Sequence, residues 1–281
     1  MTRSNNRIDR RFAELDSRGR KGLIPYITAG HPKPELTVGI MHSLVAGGAD
    51  LLELGIPFSD VMADGPVIQH ACEAALKQGM TLDRVFSQVA EFRKRDADTP
   101  VILMGYMNPV ERRGLDTFAE QAAEAGVDGL LIVDCPADEA ADTTGVFGGR
   151  ELHQIFLVAP TTTEARIERM TPLAGGFIYY VSLKGVTGSA ALNADDLAPA
   201  VASIRARSDL PVAVGFGIST PEQAEAVGTI ADAVVIGSAL VHRLDGAQTL
   251  EAAGEIVVDY IGSIRAALDR LDDAAPVEAR A

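Results

Sequence analysis

Two cysteines, Cys72 and Cys135, are too few for a disulfide framework in a chain of 281 residues, and no CxxC pair offers a thiolate metal site. Such usage suits a reducing compartment. Cations are also scarce: 25 Lys and Arg stand against 39 Asp and Glu, a formal net charge of −14. A surface that acidic repels nucleic acid phosphates and anionic lipid, so neither nucleic acid nor membrane is expected as a partner. No stretch reaches the ~18 apolar residues of a spanning helix, and Met1 to Arg11 is polar and arginine-rich without the apolar centre of a signal peptide. A cytoplasmic protein is expected. The histidines, His31, His42, His70, His153 and His242, show neither HxH nor HExxH spacing, so no metal site is expected. A GxSxG elbow for Ser-His-Asp catalysis is missing as well. Finally, no Pro/Gly/Ser-rich linker divides the interior, so residues 1–281 read as one domain, ordered from about residue 8 to 270, with 272–281 an aperiodic, frayed tail.

What is present is an alternation. Eight short apolar runs occur at Leu23–Thr28, Asp50–Leu54, Val101–Gly105, Gly129–Val133, Gln154–Ala159, Phe177–Val181, Pro211–Gly215 and Ala233–Gly237. Between them lie stretches with helical spacing, such as Leu36, Ile40 and Leu44; Ile68, Cys72 and Ala75; Leu115, Phe118 and Ala122; and Leu197, Val201 and Ile204. The runs are continuous rather than alternating, as in parallel strands covered on both faces. Eight such units in about 250 residues predict a (β/α)8 TIM barrel. Ile8, Phe12 and Leu15 predict an extra N-terminal helix able to plug the bottom. A second helix over Thr81–Arg95 follows the one after strand two, and Val257 to Leu271 forms an additional helix after strand eight. The junctions Gly48-Ala49-Asp50, Gly126-Val127-Asp128 and Ile230-Ala231-Asp232 suggest an imperfect internal repeat.

Barrel enzymes place their chemistry where strands end and βα loops begin. Glu53 interrupts the run Leu51-Leu52-Glu53-Leu54 just before Gly55-Ile56-Pro57. A carboxyl facing a half-dry mouth has its charged form disfavoured and its pKa raised, as a general acid/base requires. A strand-end Glu paired with an arginine or a backbone donor fits the same position. Asp60 and Asp64, on the loop Phe58–Pro66, suit turns or caps as readily as catalysis. Their nearness to Glu53 singles them out, because two carboxylates in unlike environments can divide acid and base roles.

Gly185-Val186-Thr187-Gly188, Gly215-Phe216-Gly217-Ile218-Ser219 and Ile236-Gly237-Ser238-Ala239 follow strands six, seven and eight, where glycines let backbone N–H groups approach a phosphate. Thr220, Pro221 and Gln223 make a good helix start after the second of these. Ordinary βα turns would share this composition. Lys184 is the one nearby cation, and a lysine just past strand six also raises a rival reading, a Schiff-base aldolase. A non-catalytic scaffold that keeps the fold is a third.

The chain closely resembles the tryptophan synthase alpha chain family. The matching segments are Pro25-Tyr26-Ile27-Thr28-Ala29-Gly30, Leu52-Glu53-Leu54-Gly55-Ile56-Pro57-Phe58-Ser59-Asp60, Ala63-Asp64-Gly65-Pro66, Tyr106-Met107-Asn108-Pro109, Ala159-Pro160-Thr161-Thr162, and the glycine loops at 185–188 and 215–219. They appear in family order across residues 8–270. The resemblance implies cleavage of indole-3-glycerol phosphate to indole and glyceraldehyde 3-phosphate with no cofactor in this chain. Glu53 would be the acid/base at ring C3 and the glycerol hydroxyl, and Asp64 would serve the indole N–H. Tyr26, Leu131, Tyr179 and Phe216 would wall the indole pocket. Gly188, Gly217, Gly237 and Ser238 would hold the phosphate, and Thr187, in loop 182–193, would close over the site and orient Asp64. A pyridoxal-phosphate-dependent beta chain in an alpha2-beta2 complex is the implied partner, met by loops two and six. Val61, where proline is usual, and Leu183-Lys184, where arginine is frequent, depart from the family there.

Overall fold

The computed structural model describes residues 6–181, 194–215 and 217–274. Helix α1 (Arg7–Ser17) precedes strand β1 (Gly22–Thr28), followed by α2 (Thr37–Ala46), β2 (Leu52–Gly55), α3 (Pro66–Lys77), α4 (Leu82–Arg93) and β3 (Val101–Gly105). Then come α5 (Met107–Arg113), α6 (Leu115–Ala125), β4 (Gly129–Ile132), α7 (Ala141–Gly148), β5 (His153–Val158), α8 (Glu164–Met170) and β6 (Ile178–Val181). The chain closes with α9 (Ala194–Arg205), β7 (Val212–Gly215), α10 (Pro221–Gly228), β8 (Ala233–Ile236), α11 (Ser238–Leu244) and α12 (Leu250–Ala274). The eight strands pair in sequence order, all parallel, and β8 returns to β1, forming the closed barrel. Extra helices stand after β2 and β8 as expected. The short α5, α7 and α8 were not signalled by periodicity; α12 runs through Ala274, and residues 275–281 of the expected tail lie outside the described residues.

Every residue of β1, β2, β4, β7 and β8 is buried, because the barrel interior takes one face and the helical ring the other. Leu23, Ile27, Leu52, Leu54, Val101 and Leu103 face the helices, whereas Ile24, Ile102, Leu131, Ile155 and Val235 fill the barrel. Helix α1 lies across the bottom. Its Ile8, Phe12 and Leu15 join the interior cluster, and Phe12 meets Phe177 with ring centroids 5.6 Å apart. Each such buried side chain contributes roughly 1.5–3 kcal/mol. The plug seats because the floor is bare: a Cβ on Gly129 would stand 2.9 Å from Ile8 Cδ1, and one on Gly176, where φ is +73°, equally close to Ile8 Cγ2. Asn6 caps α1, its Oδ1 accepting from the Ile8 N–H at 2.8 Å.

The repeated junction motif is a fastening. Asp50 donates its N–H to the Leu23 carbonyl at 2.9 Å and accepts the Leu23 N–H on Oδ2 at 2.9 Å. Asp128 forms the same two-bond ring with Val101, and Asp232 forms it with Val212. Each aspartate precedes an even strand and ties the first turns of the odd strand before it. An arginine completes each ring: Arg20 on Asp50, Arg7 and Arg93 on Asp128, and Arg205 on Asp232. At the β5–β6 junction a glycine stands instead, with Gly175 N–H donating to the Gln154 carbonyl at 3.0 Å. These rings lie at the N-terminal foot of the barrel and leave the opposite rim to chemistry.

Candidate active site

At the rim, strand alternation turns Glu53 inward because Leu52 and Leu54 face the helices. Its side chain is only 2% exposed, and Oε1 has no hydrogen-bond partner among the described residues. Burial first, and the negative charge of Asp64 second, push the Glu53 carboxyl up to about 8, so it carries its proton at neutral pH.

Asp64 arrives from the loop between β2 and α3, half-buried. Its Oδ2 accepts from the Tyr106 hydroxyl at 2.8 Å. Burial raises its pKa, and the Tyr106 hydrogen bond opposes that rise by favouring the ionised form. The two carboxyl groups therefore sit in one field but in different surroundings, one dry and unpartnered, the other hydrogen-bonded. Asp60 does not join them; it is exposed and accepts from its neighbour Ser59 Oγ at 2.6 Å.

Two tyrosines flank the acids. Tyr26 of β1 is the register partner of Glu53, and its hydroxyl lies 3.1 Å from Thr28 Oγ1. Tyr179 of β6 has its phenol held well above the ordinary range by burial and then by the charges of Glu53 and Asp64. Both rings lean over glycines of the adjoining strands: a Cβ on Gly55 would stand 2.1 Å from the Tyr26 hydroxyl. Leu131 is fully buried inside the barrel below them.

Gly237 follows β8 beside Tyr26 as the N-cap of α11, and Ser238 opens that helix. Gly217 follows β7 with φ of +77°, a conformation that favours glycine. The helix start after it is closed upon itself. Thr220 and Gln223 form a capping box, and Gln223 Oε1 also accepts the Ser219 N–H at 2.8 Å. The Ser219 carbonyl in turn accepts from Tyr260 at 3.0 Å. Thr187, Gly188, Phe216 and the rival Lys184 lie outside the described residues, as do Val186 and Leu183.

The structure also brings in residues to which the sequence reading assigned no role. Tyr106 follows β3 directly, and an aromatic hydroxyl at that strand end was the available signal. Cys72 of α3 packs against the same cluster, its thiol pushed up to about 11 chiefly by burial. Among the described residues no group of three His, Cys, Asp or Glu is placed to hold a metal ion, and no helix is long and apolar enough to cross a membrane.

A closed (β/α)8 barrel with two carboxyl groups in unlike surroundings at its C-terminal rim has the build of a barrel enzyme. The sequence profile described as "Tryptophan synthase alpha chain" matches residues 12–265. The tryptophan synthase alpha chain of Alkalilimnicola ehrlichii is 56% identical over 267 residues, covering 95% of this chain and 97% of the relative. That of Laribacter hongkongensis is 56% identical, covering 94% and 99%. Among solved structures, the alpha subunit from Legionella pneumophila str. Paris superposes with a TM-score of 0.88 at 47% identity, covering 94% of this chain and 99% of that one. A Mycobacterium tuberculosis tryptophan synthase gives 0.84 at 34% identity, covering 94% and 98%. The chain belongs to the tryptophan synthase alpha chain family, which cleaves indole-3-glycerol phosphate.

Proposed function

We propose that Glu53 and Asp64 carry this cleavage as a divided acid–base pair. The observation supporting it is their contrast: Glu53 is dry and protonated at neutral pH, while Asp64 is held by a phenolic hydrogen bond. Glu53 gives its proton to indole C3, which becomes tetrahedral and places positive charge on the ring nitrogen. Asp64, facing the ring N–H, stabilises that charge. The Glu53 carboxylate then takes the proton of the hydroxyl on the carbon bonded to C3. The carbonyl of glyceraldehyde 3-phosphate forms, and the C–C electron pair returns to the ring, neutralising the nitrogen and releasing indole. Each positioned group supplies about 10²- to 10⁴-fold.

Tyr26, Leu131, Tyr179 and Phe216 wall the indole in this reading. Gly188, Gly217, Gly237 and Ser238 take the phosphate on backbone N–H groups and a hydroxyl, and Thr187 closes over the site beside Asp64. The chain acts as one domain, in the cytoplasm, with a beta chain in an alpha2-beta2 complex. The pyridoxal phosphate belongs to that beta chain, which consumes the indole.

Steady-state indole formation from indole-3-glycerol phosphate, with and without a beta chain, tests the reading. Glu53→Gln and Asp64→Asn should each lose about 10²-fold or more in kcat with KM nearly unchanged. Near-parental indole release by either variant refutes the division of roles.

A further inference from the structure

Tyr106 stands at the end of β3, is 3% exposed, and holds the loop after β2 at three points. Its hydroxyl donates to Asp64 Oδ2 at 2.8 Å and accepts the Ala63 N–H at 3.1 Å, and its ring packs on Phe58 with centroids 5.8 Å apart. The hydroxyl is thus used in both directions, which leaves it one orientation. The loop backbone aims the phenolic proton at the carboxylate, and the rigid strand end fixes where that carboxylate lies.

From this geometry we infer that Tyr106 is the positioning residue for Asp64, holding one carboxylate oxygen so that the other is presented to the ring nitrogen of the substrate. The inference rests on Asp64 serving that nitrogen. It ties the aim of the Asp64 carboxylate to the barrel frame instead of leaving it to an exposed loop. Among the described residues, Tyr106 is the side chain that donates to the Asp64 carboxylate, whereas Gln69 Nε2 donates to its backbone carbonyl at 2.8 Å. The other titratable groups around the pair are Glu53 of β2, Tyr26 of β1, Cys72 of α3, Tyr179 of β6 and, on the far side of Tyr106, Asp134. A hydrogen bond to the ionised form keeps Asp64 charged to lower pH.

Tyr106→Phe retains the ring packing and removes the hydroxyl. With a saturating beta chain, kcat should fall about tenfold or more, with KM within about twofold. The acid limb of the kcat profile should move up by about one pH unit, since Asp64 then ionises later. Carboxyl ¹³C titration of Asp64 should shift in the same direction, and the melting temperature should change little. In an Asp64→Asn background, Tyr106→Phe should add no further loss. An unshifted acid limb and titration, beside a crippled Asp64→Asn enzyme, would overturn the role of Tyr106 alone. Near-parental turnover by Asp64→Asn would overturn the acid–base reading and this role with it.

Discussion

The phenol of Tyr179 occupies the space that a side chain on Gly215 would need: a Cβ there would stand 2.3 Å from the hydroxyl oxygen and 2.8 Å from Cζ. The same arrangement joins Tyr26 to Gly55. On opposite sides of the mouth, a bare position on one strand lets the tyrosine of its neighbour lie back against the wall. The position of each ring depends on the methyl group its neighbour lacks.

Gly215→Ala should therefore push the Tyr179 ring toward the centre of the mouth. The expected result is a KM for indole-3-glycerol phosphate raised roughly tenfold, with a loss of about 1–3 kcal/mol in stability from overpacking. Kinetics beside thermal unfolding check both. An unchanged KM would mean the ring does not border the substrate.

The raised Glu53 carboxyl predicts an alkaline limb in kcat/KM. Protonation of C3 needs Glu53 in its acid form, and that form is lost as pH passes about 8. Between the acid limb set by Asp64 and that value activity should be level, and above it activity should decline, with an alkaline limb that disappears in the residual activity of Glu53→Gln. A profile flat to pH 10 would assign the proton to another donor.

The same shift has a cost in stability with a definite sign. The folded chain binds the Glu53 proton up to about pH 8, whereas the unfolded chain releases it near the ordinary 4.5. The contribution of this proton is complete below pH 4.5 and is lost as pH rises toward 8. Glu53→Gln should match the parent near pH 4 and exceed it by on the order of 3 kcal/mol at pH 7. Denaturant unfolding at the two pH values measures it, and a gain independent of pH would show that ionisation is not its source.

Asp128 is 3% exposed and satisfies Arg7, Arg93 and the Val101 N–H at once. Asp128→Ala takes the counter-charge from Arg7 and Arg93, which keep only backbone carbonyl acceptors, and the acceptor from the Val101 N–H, for an expected loss of about 3–5 kcal/mol. Because the ring is at the foot of the barrel, kcat of the folded variant at low temperature should be close to that of the parent. A selective loss of kcat at full stability would contradict the separation of foot and rim.

The strands were legible because parallel strands buried on both faces are unbroken apolar runs, and most boundaries agree with the structure to within one residue. Strand β2 is the instructive exception. Asp50 and Leu51 extend its run, but Asp50 is spent on the ring with Leu23, so the strand begins at Leu52. Helix α7 escaped notice because Thr143, Thr144, Gly145 and Gly148 erase its period. It is held instead by tertiary bonds, with both threonine hydroxyls donating to the buried Gln154 at 3.0 and 2.8 Å. Glu53 could be read as a candidate because a charge inside an apolar run is conspicuous. Tyr106 could not be assigned its role, since that comes from meeting a carboxylate 42 positions away.

The aspartate rings at the foot give the barrel a division of labour. Three strand pairs are locked where no substrate reaches, and the loops that meet the guest hang from the opposite ends of the same strands. Side chains around the mouth can then be exchanged to admit a differently shaped heterocycle while the clasps below stay shut. In a redesign, the side chains to vary first are those above Glu53, and Asp50, Asp128 and Asp232 are the ones to leave alone.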